Sequence, residues 1–197
     1  MKAVVVVAHP DPASFTHAAS LRVRRGLEAA GHSVEVIDLT AIDYPGALRP
    51  DEWRAYESET PVLDPTVAAH IELVRAAEAL VFVYPTWWSS IPAVMKAWFE
   101  RTFVPGVAFV LDPRTRRVRP ALGHVRHLVG VTTYGSPRWY VKLVNDNGRR
   151  TIARTLRIAT GRGTRVTWLP MYSLDGHDEA ARAAFLDRVE RTMGGLR

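Results

Sequence analysis

Three segments of the chain combine hydroxyl, aromatic and turn-forming residues that could bind a flat ligand carrying a phosphate. Residues 9–16 read HPDPASFT, residues 84–92 read YPTWWSSIP, and residues 132–140 read TTYGSPRWY. The first segment would place backbone N–H groups at the start of a helix, where an anion is favoured. Ser14 and Thr16 would add hydroxyl donors there, so this pattern favours a phosphate site.

The second and third segments offer flat surfaces. Trp87 and Trp88 are adjacent, and a tryptophan pair beside backbone donors suits a planar heteroaromatic ligand. Gly135 would let the backbone approach a ring closely, and Tyr134, Trp139 and Tyr140 could wall the pocket. Each of the three segments also has a structural explanation: a capped turn, aromatic cover for the core or a subunit interface, and a packed surface loop. The residues alone leave these alternatives open.

Other classes of chemistry find little support in the sequence. The absence of cysteine excludes disulfides, thiolate metal sites and cysteine nucleophiles. The dinucleotide fingerprint G-x-G-x-x-G, the phosphate loop G-x-x-x-x-G-K-[ST] and the metal pattern H-E-x-x-H do not occur, so no metal site is expected. Ser136 lies in YGSPR rather than G-x-S-x-G, and His9, Asp11 and Ser14 are too close in one turn for a triad. The segments therefore suit a protein whose cofactor carries the chemistry.

Composition limits the remaining function classes. The chain has 197 residues, 47% of them hydrophobic and 23% charged, as expected for one globular domain over residues 1–197. The net charge is +6, but the arginines are scattered, so no nucleic-acid partner is expected. A strand is predicted almost from Met1, and no apolar run approaches the roughly 18 residues of a membrane span. These features favour a cytoplasmic protein without stable membrane insertion.

The three segments must be positioned by a sheet and its helices. Strands are predicted over Lys2–Ala8, Ser33–Asp38, Ala79–Tyr84, His127–Thr132 and Thr164–Leu169. Helices are predicted from Ser14, as N-cap, to about Ala30, and over Asp51–Tyr56, Pro65–Ala77, Pro92–Phe103, Gly148–Thr160 and Asp178–Met193. Val104–His124 and Thr133–Asn147 are predicted to be loops, the former with at most a short hairpin. This alternation predicts an α/β fold with a parallel sheet, helices on both faces, and the three segments at the carboxyl ends of the strands.

Several stretches resemble those of a known family. They are HPDPASF at His9–Phe15, YPTWWSSIPAVMKAWFERTFVPGVAF at Tyr84–Phe109, TTYGS at Thr132–Ser136 and, more weakly, YSLDGHDEAAR at Tyr172–Arg182. The chain resembles the flavodoxin-like NAD(P)H:quinone oxidoreductases, a group that includes modulators of drug activity and the ancillary flavoproteins of potassium efflux. The resemblance implies a flavodoxin-like three-layer α/β/α sandwich with a five-stranded parallel sheet.

The same resemblance implies roles for individual residues. The flavin phosphate and ribityl chain would be held by His9, Ser14, Phe15 and Thr16. The isoalloxazine ring would contact Pro85, Thr86, Trp87, Trp88 and Ser89 at one edge, and Thr132, Thr133, Tyr134 and Gly135 on the other side. Arg182 lies where relatives that use FAD contact its distal half. Phe109 and Tyr140 would face the nicotinamide and quinone pocket, with Tyr140 as the candidate catalytic residue. The resemblance also implies a homodimer, with Pro92–Phe103 at the interface.

The implied reaction is a ping-pong transfer of hydride from NAD(P)H to flavin N5 and then to a quinone or another flat electrophile. The sequence departs from the family pattern at Tyr134, where T-T-G-G has a glycine, and at Asp146, where a histidine would be the relay partner of Tyr140. The sequence does not distinguish FMN from FAD as the cofactor, or NADH from NADPH as the reductant. The arginines of Arg114–Arg119 could bind the 2′-phosphate of NADPH, or they could belong to a solvated loop. The alternative function is a non-catalytic electron carrier or a regulatory subunit of a membrane transporter.

Overall fold

A computed structural model describes residues 1–56, 58, 61–112, 114–115 and 117–197. Its main sheet has five parallel strands in the order β2-β1-β3-β6-β7. These strands are β1 (Lys2–Val7), β2 (Ser33–Asp38), β3 (Ala79–Pro85), β6 (His127–Thr133) and β7 (Arg165–Met171). The short strands β4 (Phe109–Leu111) and β5 (Val118–Pro120) form a separate antiparallel hairpin. All five predicted strands are confirmed.

Helices cover both faces of the main sheet. They are α1 (Phe15–Ala29), α2 (Pro50–Ala55), α3 (Pro65–Ala76), α4 (Ala93–Thr102), α5 (Arg138–Leu143), α6 (Asn147–Arg150), α7 (Leu156–Thr160) and α8 (Glu179–Gly194). One core joins the sheet to α1 and α8, and the other joins it to α3, α4 and α7. The central strands β3 and β6 are wholly buried between these layers, as their continuous apolar sequences require. The described elements thus form the predicted three-layer sandwich.

Local sequence explains where most helices begin and pack. Ser14 and Asp178 cap α1 and α8, each accepting a backbone N–H with its side chain. On α8, Phe185, Val189 and Met193 recur every four residues and are buried, so they form one apolar stripe. Gly26 allows α1 to approach α8 closely, because a Cβ there would lie 2.3 Å from the Glu190 carbonyl oxygen. None of the helices in the described part of the chain combines the length and apolar composition needed to cross a membrane.

The segment 133–147 differs from its prediction as a loop, because it contains α5. Pro137 is the N-cap of α5, and its fixed φ favours the start of a helix. Beyond it, α6 and α7 are joined by a π-helical turn over Thr151–Thr155, so the chain is helical throughout 147–160. The segment 104–124 was predicted to be a loop with at most a short hairpin, and it does form a short hairpin of β4 and β5.

A buried ionic group holds the irregular segment between β2 and α3. The Arg101 guanidinium on α4 donates to the Glu52 carboxylate from Nε at 3.1 Å, and to Asp64 Oδ2 at 3.0 Å. Its Cζ lies 5.2 Å from the centre of the Tyr44 ring. Burial alone would raise the pKa of Asp64, but hydrogen bonds from the amides of α3 and from Arg101 outweigh it, so the pKa lies below its usual value. We call these four residues the Arg101 cluster.

Candidate functional site

The loops after β1, β3 and β6 meet at the carboxyl edge of the sheet. Strand β1 lies between β2 and β3, so the chain reverses its direction of winding between β1 and β3. The Ala8 amide donates to Val83 at 3.1 Å, and the Thr86 amide donates to Thr133 at 2.7 Å. Ligands bind at such switch points in doubly wound folds because the loops diverge there and leave a crevice.

Two adjacent cavities occupy this edge. The α1 cavity, of about 330 Å³, is lined by His9, Phe15, Thr16, Pro85, Thr86, Trp87, Thr133, Gly135, Leu174 and Asp175. The α5 cavity, of about 260 Å³, is lined by Thr86, Trp88, Ser89, Tyr134, Gly135, Ser136, Tyr140, Val141, Val144 and Asp146. Because Thr86 and Gly135 border both, the cavities adjoin. The structure therefore brings residues of all three predicted segments together.

The hydroxyl of Ser14 is engaged in capping α1. Its Oγ accepts from the His17 amide at 3.3 Å and lies 3.0 Å from His17 Nδ1, while His17 Nε2 lies 2.8 Å from Asp38 Oδ2. Burial alone would raise the pKa of Asp38, but hydrogen bonds from His17, Ala41 and Thr40 outweigh it, so the pKa lies below its usual value. Ser14 therefore orders the start of the helix, and it does not line either cavity.

The start of α1 keeps other donors for an anion. Helix geometry leaves the Phe15 and Thr16 amides without acceptors inside the helix. The first turn carries no acidic residue, and the Thr16 side chain lines the α1 cavity. His9 is held by its own loop, since its Nδ1 accepts from the Asp11 amide at 3.0 Å. This end of α1 can bind a phosphate through backbone donors and the helix dipole.

The tryptophan loop is a tight turn with unusual backbone geometry. The Trp87 and Ser90 backbones exchange two hydrogen bonds, of 3.1 and 3.0 Å, across Trp88 and Ser89. The two intervening residues have φ values of 48° and 58°, in the left-handed region that side chains disfavour. Trp88 is 100% exposed, while the Trp87 ring lies 5.7 Å from the His9 ring. Such strain is concentrated at binding sites, where the surrounding structure holds it.

The two residues that depart from the family pattern are partners in the structure. The Tyr134 hydroxyl donates to Asp146 Oδ1 at 2.8 Å, and the Tyr134 ring stacks on Tyr172 with centroids 4.8 Å apart. Burial, followed by the negative charge of Asp146, raises the pKa of the Tyr134 phenol, so it remains a proton donor at neutral pH. Both residues line the α5 cavity.

Four predicted residues stand apart from the cavity walls. Thr132 is buried beneath them, and its Oγ1 lies 3.0 Å from Thr86 Oγ1. Phe109 lies on the hairpin and packs against the hydrophobic core. Arg182 donates to the Leu174 carbonyl at 3.2 Å, behind the wall of the α1 cavity. Together with Ser14, these residues support neighbouring elements within the chain.

A family model described as flavodoxin-like fold matches residues 1–193. The chain belongs to this family. Its relatives include "NAD(P)H dehydrogenase [quinone] 1" of Cavia porcellus, 28% identical over 71% of this chain and 55% of the relative. The human "Ribosyldihydronicotinamide dehydrogenase [quinone]" is 30% identical, and the match covers 75% of this chain and 70% of the human protein.

A solved relative has the same overall architecture. The NAD(P)H:quinone oxidoreductase of Methanothermobacter marburgensis superposes with a TM-score of 0.82 at 25% identity, covering 100% of this chain and 96% of that one. The chain spans only about half the length of the Cavia porcellus protein, because the match covers 55% of that protein.

Some residues of the flavodoxin-like site escaped prediction. Leu174 and Asp175 line the α1 cavity from the loop after β7, and Val141 and Val144 line the α5 cavity from the end of α5. The weak match at Tyr172–Arg182 was the sequence signal for the first pair. No comparable pattern marked the second pair, because α5 was predicted to be a loop.

Proposed function

We propose that this protein is a flavin-dependent reductase that uses NAD(P)H to reduce quinones or similar flat electrophiles by two electrons. The observation that carries the proposal is the pair of adjoining cavities at the β1/β3 switch point, which are rich in aromatic rings and backbone donors. The quinone dehydrogenases among its relatives support the same reaction. We further propose that residues 1–197 form one flavin-binding domain.

The donor set fits a flavin phosphate and ring. The phosphate would lie at the start of α1, on the amides of Phe15 and Thr16 and near His9, while Ser14 fixes that helix start. The ring edge would meet the backbone of residues 85–89, with Thr132 supporting Thr86 from below. Thr133, Tyr134 and Gly135 would close the opposite side. When bound, a flavin supplies the two-electron carrier that the side chains lack.

The α5 cavity is the proposed substrate pocket. Trp88 and Tyr140 would hold a flat acceptor or a nicotinamide against the ring, and stacking on aromatic faces excludes water from the reacting atoms. Tyr140 remains the candidate catalytic residue. Asp146 accepts a hydrogen bond from Tyr134, so we propose no proton relay between Tyr140 and residue 146. Phe109 does not line this cavity, and it would have to approach the pocket of a second subunit.

We also propose a homodimer. Large apolar side chains beside the cavities are exposed to solvent: Trp87, Trp88, Trp139, Tyr140 and Leu143. Clusters of exposed apolar side chains usually mark interaction sites, because water contact with them is unfavourable. A second subunit at this face, together with contacts from α4, would complete the substrate pocket. A cytoplasmic location remains a prediction.

The visible spectrum of the purified protein tests the cofactor. We expect an oxidised-flavin spectrum that bleaches when NAD(P)H is added, and chromatography of the released chromophore distinguishes FMN from FAD. Subsequent addition of a quinone should restore the oxidised spectrum, with ping-pong steady-state kinetics. A protein that remains colourless after incubation with FMN or FAD would refute flavin binding. A flavoprotein that bleaches but gives no turnover with any acceptor would instead favour the carrier or regulatory alternative.

A further inference from the structure

The helical stretch 147–160 has an unusual charge pattern. It carries Arg149, Arg150, Arg154 and Arg157 but no acidic residue. Arg150, Arg154 and Arg157 are spaced four and three residues apart, and they border one cavity although a π-helical turn lies within the stretch. Like charges at this spacing destabilise a helix unless something neutralises them.

Several exposed cations on other helices are paired with a carboxylate of the same helix. Arg24 pairs with Glu28 on α1 at 2.7 Å, Arg75 pairs with Glu72 on α3 at 3.0 Å, and Lys96 pairs with Glu100 on α4. Within the described part of the chain, no ion pair joins a carboxylate to any arginine of 147–160. This stretch therefore presents positive charge that the protein itself leaves unbalanced.

These arginines border a cavity of about 480 Å³, which is within the size range of small-molecule sites. We call it the arginine groove, and its lining residues are Lys142, Asn145, Asp146, Arg149, Arg150, Ala153, Arg154, Arg157, Val166 and Trp168. The Trp168 Nε1–H is buried and has no hydrogen-bond partner among the described residues. This N–H is covered from solvent, so it is the indole ring of Trp168 that lines the groove beside its five cations.

The groove adjoins the proposed substrate pocket. Asp146 lines both the groove and the α5 cavity, and its carboxylate accepts from the Tyr134 hydroxyl. A ligand that extends past Asp146 would place a flat group in the aromatic α5 cavity and an anionic group among the arginines. A nicotinamide dinucleotide has this chemistry, with its ring at one end and phosphates further along.

We propose that the arginine groove binds the phosphate-bearing end of the nicotinamide dinucleotide and makes NADPH the preferred reductant. This inference rests on the proposed function, because it requires the nicotinamide to occupy the α5 cavity. Charged hydrogen bonds from arginine to phosphate are strong and geometrically specific, and the 2′-phosphate adds charge that NADH lacks.

The test uses the holoenzyme and the double variant Arg150→Gln/Arg154→Gln. We expect KM for NADPH to rise about tenfold with little change in kcat, and KM for NADH to change much less. Calorimetric titration with 2′,5′-ADP, which requires no turnover, should show the same loss of affinity. Added salt should weaken binding of 2′,5′-ADP to the unaltered protein more than to the variant.

The matched control is Arg114→Gln/Arg117→Gln, which removes two exposed charges from the hairpin connection. If this control changes the NADPH preference and the groove variant does not, the proposal is wrong. Equal weakening of NADH and NADPH by the groove variant would also overturn it, as would inorganic phosphate competing as well as 2′,5′-ADP. Normal binding of 2′,5′-ADP in the groove without any NADPH oxidation would refute the reductase function and leave the phosphate site intact.

Discussion

The Arg101 cluster and the arginine groove use the same side chain in opposite ways. Arg101 is buried, and its guanidinium is bonded to two carboxylates, so its charge is balanced within the fold. The groove arginines are exposed, and among the described residues that line the groove the one carboxylate, that of Asp146, accepts a hydrogen bond from a tyrosine. Balanced charge thus fixes the chain, whereas unbalanced charge is kept available for a ligand.

The largest expected effect comes from breaking the balanced region. Arg101→Met would leave Glu52 and Asp64 without their buried cation, which typically costs about 3–5 kcal/mol. Urea unfolding measures the loss. Arg150→Gln/Arg154→Gln serves as its counterpart, because exposed unpaired charges should change stability by less than about 0.5 kcal/mol. Similar losses in the two variants would invalidate the distinction between the regions.

A smaller effect is expected at the carboxylate of Asp146, which lines the arginine groove and is hydrogen-bonded to Tyr134. Tyr134→Phe removes the hydrogen bond to Asp146 and should cost about 1.5–3 kcal/mol, as for bonds to charged groups. The released carboxylate can then turn toward the groove and weaken binding of 2′,5′-ADP, measured by calorimetry. Tyr172→Phe is the control, since it removes a hydroxyl from the stacked ring without touching that bond. Unchanged binding in Tyr134→Phe would show that Tyr134 does not keep Asp146 from the arginines.

The smallest effect concerns pH near the Arg101 cluster. Burial lowers the pKa of His70, whose Nδ1 accepts from Trp98 Nε1 at 3.3 Å and whose ring lies 5.8 Å from that of Tyr44. Because the folded state holds His70 neutral, its contribution to stability is present above the usual pKa of 6.5 and is lost as pH falls below it. His70→Asn keeps an acceptor, so it should flatten the decline in unfolding free energy just below pH 6.5. Parallel pH profiles for the two proteins would refute this role.

The sheet was predictable because its strands have simple local patterns. Runs such as VVVV in β1 and LVFV in β3 can be buried on both faces only in a parallel sheet with two helical layers. The segment holding α5 was not predictable in the same way, because its six residues are too few for periodicity to separate a helix from a loop.

The candidate site was predictable in its loops but not in its contacts. The three segments were recognised because strands of a parallel sheet end at one edge, which sequence order reveals. The bond between Tyr134 and Asp146 joins residues 12 positions apart through a left-handed turn at Asn145 and Asp146, and no local pattern predicts it. The groove likewise depends on Trp168 of the edge strand β7 lying beside the helical stretch 147–160 that precedes it, and no local pattern predicts which side chains the two elements bring together.

The exposed indole of Trp88 gives this protein a built-in optical reporter. An indole surrounded by water fluoresces at long wavelength and is open to collision with iodide. Trp88 projects fully from a turn that its neighbours hold in place, so its fluorescence depends on what comes to cover it. Bound rings would quench its emission, whereas a second subunit would shield it from iodide and shift the emission to shorter wavelength. Because the chain has six tryptophans, the difference between the unaltered protein and Trp88→Phe would assign these changes to Trp88 and so report occupancy and assembly separately.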